Sequence, residues 1–166
     1  METIEIIKQL LLALILGGVV GYERERSHKT AGMRTHALIA LGAALLTMLS
    51  VYGFTDVPNA EYADPTRIMS NIVVGIGFIG GGVILKRGSH VRGITTAATL
   101  FTVAIIGITV GLLFNVIAIA TTVIVYLVLS FMWRLERKMD TSRHYGDTPE
   151  EIQTGQQDED ESVHRH

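Results

Sequence analysis

Apolar residues fall in long runs along this chain, with polar residues gathered between them. One run extends from about Ile4 to Tyr22, a second from about His36 to Phe54, a third from Thr66 to Leu85, and a fourth from Ile94 to Trp133. A water-soluble protein spreads charge through its helices, whereas a membrane protein confines it to the connections. Because a bilayer core takes about 20 helical residues, each of the first three runs predicts one span. The fourth contains no Asp, Glu, Lys or Arg and is about twice as long as one crossing needs, so it predicts two spans. Their turn is expected near Gly111–Asn115, where Asn115 is the one strongly polar residue. The fold class read from this pattern is all-α, a polytopic bundle of five transmembrane helices. The spans are about 4–22, 36–54, 66–85, 94–112 and 115–133, in one domain covering residues 1–139.

The third run carries the strongest local signals. Asp64 is placed to accept a hydrogen bond from free N–H groups at a helix start, and Pro65 suits the first helical position. In a helix, Asp64, Arg67, Asn71, Gly75, Phe78 and Gly82 share one face, polar at its mouth and nearly bare further in. Gly75, Gly77, Gly80, Gly81 and Gly82 crowd one short stretch, each costing about 1 kcal/mol of helix propensity against alanine. Close approach of another backbone would offset that cost, and so would a break in the helix whose carbonyls line a cavity. Small residues also pair at Gly17/Gly21 and Ala40/Ala44. Gly17, Gly21, Gly75, Gly77, Gly81, Gly82, Thr95 and Thr96 are therefore read as helix-packing positions, with Thr95 and Thr96 also expected to cap the fourth span. A homo-oligomer, most simply a dimer, is expected to use the small-residue faces.

Charge sets orientation. Lys and Arg concentrate in 23–35, in 86–93, and in 134–143, while the connection 55–63 is acidic. The positive-inside rule then places the N-terminus outside and the C-terminus in the cytoplasm. Glu2 and Glu5 do not make the basic leader of a cleaved signal, so the first helix is read as retained. Residues 140–166 lose the apolar runs and contain Asp158-Glu-Asp-Glu161, and a disordered acidic cytoplasmic tail is expected there. Over all 166 residues the net charge is −2 and the apolar share 48%, with no cysteine. Disulfide and thiol chemistry are excluded, and near-neutrality argues against a nucleic-acid partner.

Candidate chemistry is sparse. Asp64 and Arg67 can pair on one helix face at the outer mouth, as an ion or gating site or simply as a cap and a snorkelling cation. Asn71, a turn deeper, is either part of that site or a helix–helix hydrogen-bonding group. Glu23 closes the first span, and paired carboxylates there could hold hydrated Mg²⁺. The alternative for Glu23, Arg24, Glu25 and Arg26, facing Arg34 and Thr35 across a short connection, is an interfacial salt-bridge network. His28, His36 and His90 are read as loop residues. No nucleophile–base pair, phosphate loop or zinc-protease motif is present, so no catalytic group and no cofactor is expected, and metal ligands stay unassigned beyond Mg²⁺ association.

The segments Gly21-Tyr-Glu-Arg-Glu25, Ala31-Gly-Met-Arg-Thr-His36, Asp64-Pro-Thr-Arg67, Gly75-Ile-Gly-Phe-Ile-Gly-Gly-Gly82 and Val91-Arg-Gly-Ile-Thr-Thr-Ala-Ala-Thr99 together resemble the MgtC/SapB family over roughly residues 5–133. The resemblance implies a small, non-enzymatic protein of the cell membrane with a role in magnesium homeostasis or growth at low magnesium, and in some pathogens in survival inside host cells. It implies action on other membrane machinery, a transporter or the ATP synthase, with direct Mg²⁺ carriage as the alternative. Two departures stand out. Phe101 replaces the Trp of many relatives, and an acidic tail stands where many relatives have a folded C-terminal domain.

Overall fold

The structure, a computed structural model, describes residues 2–53, 64, 66–87 and 90–143. The expectations for the acidic connection 55–63, for Pro65 and for the tail beyond 143 lie outside the described residues. Among the described residues are five helices: α1 Thr3–Arg26, α2 Met33–Tyr52, α3 Thr66–Gly82, α4 Ile94–Gly111 and α5 Asn115–Arg143. Four stretches, Thr3–Arg26, Met33–Tyr52, Ile94–Gly111 and Asn115–Leu135, are long and apolar enough to cross a membrane. α3 has 17 residues; at about 1.5 Å per residue it reaches roughly 25 Å, short of a hydrocarbon core of about 30 Å. It runs unbroken through Gly80.

Two compact units divide the chain, Met1–Leu129 and Ser130–His166. The second contains the C-terminal part of α5. In the first, the core gathers Ala13, Leu16 and Val20 of α1, Ala40, Ala44 and Met48 of α2, Val103, Ile106 and Val110 of α4, and Ala118 and Leu129 of α5. A smaller cluster of Ala43, Ile76 and Ala104 fastens α3 to α2 and α4. The exterior is also apolar. Phe78 is 86% exposed, Val116 81% and Val74 72%. Such a surface would aggregate in water and is what a bilayer solvates.

Glycines set the tightness of the seams. A Cβ on Gly21 would lie 2.6 Å from the Met33 Cα and 2.9 Å from the Gly32 carbonyl oxygen; one on Gly17 would lie 2.6 Å from the His36 carbonyl oxygen and 2.7 Å from the Ala40 Cβ. Gly107 and Gly111 perform the same service between α4 and α2, against Ala40, Ala43, Ala44 and Thr47. Gly17, Gly21, Ala40 and Ala44 are thus used inside the chain. On α3 only Gly80 packs, against Ala97; Gly75, Gly77, Gly81 and Gly82 have no atom within 4 Å of where a Cβ would stand.

The connection from α3 to α4, expected as a loop, holds a short antiparallel pair, Leu85–Arg87 (β1) with His90–Arg92 (β2), in which Lys86 faces Val91. Gly93 follows as the N-cap of α4, with φ 93° and no side-chain cap. Its left-handed backbone and its closeness to the Val83 carbonyl both require glycine. Thr95 is exposed and Thr96 buried just inside the helix, so the turn rests on Gly93.

Candidate functional site

The sequence-predicted residues fall in two groups, one at the α1–α2 turn and one at the start of α3. At the end formed by the α1–α2 turn, α1 continues past its apolar run to Arg26. That extra turn carries Glu23 and Arg24 into the interior, where their side chains are only 5% and 3% exposed. Arg24 Nε donates to Glu23 Oε2 at 2.6 Å, and Ser27 Oγ donates to Glu23 Oε1 at 2.7 Å. Both carboxylate oxygens are therefore engaged, and the guanidinium balances the charge. Breaking a buried pair of this kind by removing one partner costs about 3–5 kcal/mol.

Glu25 turns the other way and receives the Met33 backbone N–H at Oε2, 3.0 Å away. It supplies the start of α2, whose own N-cap is Gly32 and has no side-chain cap. Arg34 and Thr35, the other residues of the predicted loop motif, lie exposed on the first turn of α2.

His36 is misplaced by the sequence reading. It stands inside α2, not in a loop, with 0% of its surface exposed. Its Nδ1 lies 2.8 Å from the Gly32 carbonyl oxygen, and its Nε2 lies 3.2 Å from Thr99 Oγ1 on α4. Thr99 Oγ1 in turn lies 2.8 Å from the Thr96 carbonyl oxygen. Gly17 and Gly21 leave the space on α1 that lets this turn of α2 come close. A signal for His36 was present: it shares its helical face with Ala40, Ala43, Ala44 and Thr47, all buried.

Asp64, Arg67 and Asn71 belong to the start of α3. The Asp64 carboxylate accepts from the Thr66 hydroxyl at 2.6 Å and from the Thr66 N–H at 2.9 Å. Those two bonds, the hydroxyl first, hold the exposed Asp64 carboxyl below its ordinary pKa. Arg67 lies near enough to add to that shift, yet the two form no ion pair among the described residues. Asn71 is exposed on α3. It lines a groove of about 520 Å³ between α2, α3 and α4, together with Gly42, Ile72 and Gly75. Among the described residues no three His, Asp or Glu side chains converge as a metal site would require. The sequence reading also missed Gln9, buried on α1 with its Oε1 unpartnered while its Nε2 donates to Glu5.

Helices with apolar exteriors, glycine seams, and a neutralised polar cluster closing one end together define a multi-pass protein of the cell membrane. Comparison with known proteins supplies the family. The MgtC family matches residues 10–138, and this chain belongs to it. It is 41% identical to the "Putative magnesium transporter YhiD" of Escherichia coli (strain K12) over 86% of this chain and 67% of that protein. It is 43% identical to "Protein MgtC" of Brucella abortus (strain 2308) over 68% of this chain and 45% of that one. With "Protein MgtC" of Salmonella typhimurium it shares 44% identity over 72% of this chain and 48% of that protein. The chain thus spans about half to two thirds of the length of these relatives. No solved structure matches it.

Proposed function

We propose that this protein serves magnesium homeostasis by modulating other transport machinery in the membrane, without enzymatic activity and without carrying the ion itself. The state of Glu23 is the observation that supports this reading. A dication bound there would have to compete with Arg24 and Ser27, which already engage both oxygens of the carboxylate, and would then meet the guanidinium's charge. Magnesium, which sheds its water reluctantly, gains little from such a site. The family and the printed name of the Escherichia coli relative support the link to magnesium. In this reading α3, extended by its flanking apolar residues, completes a fifth span, with the N-terminus outside and the α1–α2 turn in the cytoplasm. The partner is a membrane transporter or ATPase, reached directly or by a homodimer.

A second reading is direct carriage of Mg²⁺ past Asp64 and along Asn71, and one observation favours it: Asn71 and Gly75 border an open groove. Uptake of Mg²⁺ into liposomes containing only the purified protein separates the two. No flux from folded protein is the expected result, and it directs the search to a membrane partner by pull-down. Flux that falls in Asp64→Asn and Asn71→Ala would overturn the proposal and make the chain a carrier.

A further inference from the structure

The structure presents His36 with a conflict over one proton. Nδ1 faces the Gly32 carbonyl at 2.8 Å. A carbonyl only accepts, so Nδ1 carries a hydrogen in either charge state of the ring. Nε2 faces Thr99 Oγ1, and that hydroxyl has a single hydrogen with two acceptors within reach, Nε2 at 3.2 Å and the Thr96 carbonyl at 2.8 Å. If the ring is neutral, Nε2 must accept, and the hydroxyl turns away from Thr96. If the ring is protonated, Nε2 donates to Oγ1, and the hydroxyl is free to donate to Thr96. Only the protonated state satisfies all three contacts together.

We propose that His36 is a proton-operated switch that sets the direction of the Thr99 hydroxyl and thereby the hydrogen bonding of the first turns of α4. The Thr96 carbonyl is also the acceptor for the Leu100 N–H in a regular helix. A Thr99 hydroxyl directed onto that carbonyl shares it, and one directed onto Nε2 releases it. One proton on α2 therefore changes a backbone bond on α4.

The charged groups near the ring are already engaged. From α1, Glu23 and Arg24 are the charged groups that face the ring, and they neutralise each other through their own ion pair. Glu25, also on α1, is occupied at Met33 N, and Gly32 adjoins it. From α4 the ring meets Thr99, which does not titrate in this range, and on α2 itself Arg34 is exposed. A proton on the ring would thus have no dedicated counter-charge at this seam. It sits where α1, α2 and α4 come together, so a change there reaches all three helices. The inference does not depend on whether the protein carries magnesium or modulates another system.

The test uses the full chain in nanodiscs, labelled with ¹⁵N at its histidine rings and followed from about pH 5 to pH 8, the range in which His ordinarily titrates. His36→Gln assigns the ring signals. The expected result is titration of the His36 nitrogens within that range, with the protection factor of the Leu100 amide, its exchange rate relative to the intrinsic rate at each pH, changing several-fold across the same midpoint. Thr99→Val removes the oxygen that a charged ring needs most. It should lower the His36 midpoint by about one pH unit, a tenfold loss of proton affinity, and should abolish the change at Leu100. A His36 ring that does not titrate in this range overturns the proposal. So does titration with no response at Leu100, or a Thr99→Val protein that behaves as wild type. Should His36→Gln fail to fold, the shift produced by Thr99→Val makes the assignment instead.

Discussion

Replacing Gly21 by alanine tests how the bundle is held together. The added methyl would stand 2.6 Å from the Met33 Cα, 2.9 Å from the Gly32 oxygen and 3.0 Å from the His36 Cβ. Two of those neighbours are backbone, so no rotamer change relieves the clash. α1 and α2 must separate by roughly 1 Å to restore contacts of about 3.5–4 Å. Overpacking of this kind costs about 1–3 kcal/mol, against which alanine recovers about 1 kcal/mol of helix propensity. The net expectation is a loss of up to about 2 kcal/mol, with the separation also loosening the polar cluster beside Gly21. Gly77→Ala is the control. No atom lies within 4 Å of its added Cβ, so only the propensity gain of about 1 kcal/mol remains. Circular-dichroism unfolding of both variants in one detergent should move the midpoints in opposite directions. A Gly21→Ala protein as stable as wild type would refute the reasoning. A Gly77→Ala protein destabilised as much as Gly21→Ala would show that a neighbour absent from the single chain covers α3.

Three further outcomes follow from the site. Arg24→Met and Glu23→Gln should each lower stability by about 3–5 kcal/mol, because each strands a buried charge or its hydrogen-bonding partner; the double variant should be markedly less harmed than the sum, as a double-mutant cycle of unfolding midpoints would record. Glu25→Ala should cost about 0.5–2 kcal/mol, the usual worth of a helix cap, and should raise hydrogen exchange at Met33 more than anywhere later in α2. The Asp64 carboxyl is held low by Thr66 in the folded state. Its contribution is therefore complete above the unfolded carboxylate pKa and is lost as pH falls through the folded value. The protection factor of the Thr66 amide, its exchange rate relative to the intrinsic rate at each pH, should fall on acidification below about pH 4, and Asp64→Asn should remove that pH dependence while keeping a usable cap.

The helices were legible because their signal is collective. Long uncharged runs admit one interpretation, and the all-helical fold with several membrane-crossing elements follows from run length and charge placement alone. A salt-bridge network at Glu23–Arg26 was legible as one alternative, but its burial was not, and the reason is where α1 ends. Read by hydropathy, the first span stops at Tyr22, which leaves Glu23 and Arg24 in a loop. In the structure the helix carries on to Arg26, since Ser27 four residues after Glu23 gives its carboxylate a partner one turn away. That turn folds the pair inward. The same boundary error moved His36 from the buried face of α2 into the preceding connection. Charge marks a membrane boundary only when it reaches water, and here an acid and a base that neutralise each other do not.

Glycine spacing carries a related ambiguity, and resolving it separates the molecule into two kinds of seam. Gly17 and Gly21 on α1, and Gly107 and Gly111 on α4, resemble Gly77 and Gly81 on α3 in spacing, and nothing in the pattern distinguishes them. Three-dimensional arrangement does. The first four abut the backbone or small side chains of α2, so their propensity cost is offset by close contact, and α2 becomes a central post made of Ala40, Ala43, Ala44 and Thr47. Gly75, Gly77, Gly81 and Gly82 of α3 meet nothing among the described residues, and their cost of about 1 kcal/mol each is met through the packing of Ile72, Ile76 and Gly80. α1, α2 and α4 therefore form the rigid part of the bundle, with the buried ion pair and His36 locked between them. Of the helices that pack on α2, α3 is held by the fewest contacts, and within that group conformational change should begin there, as local opening favours elements with little buried surface.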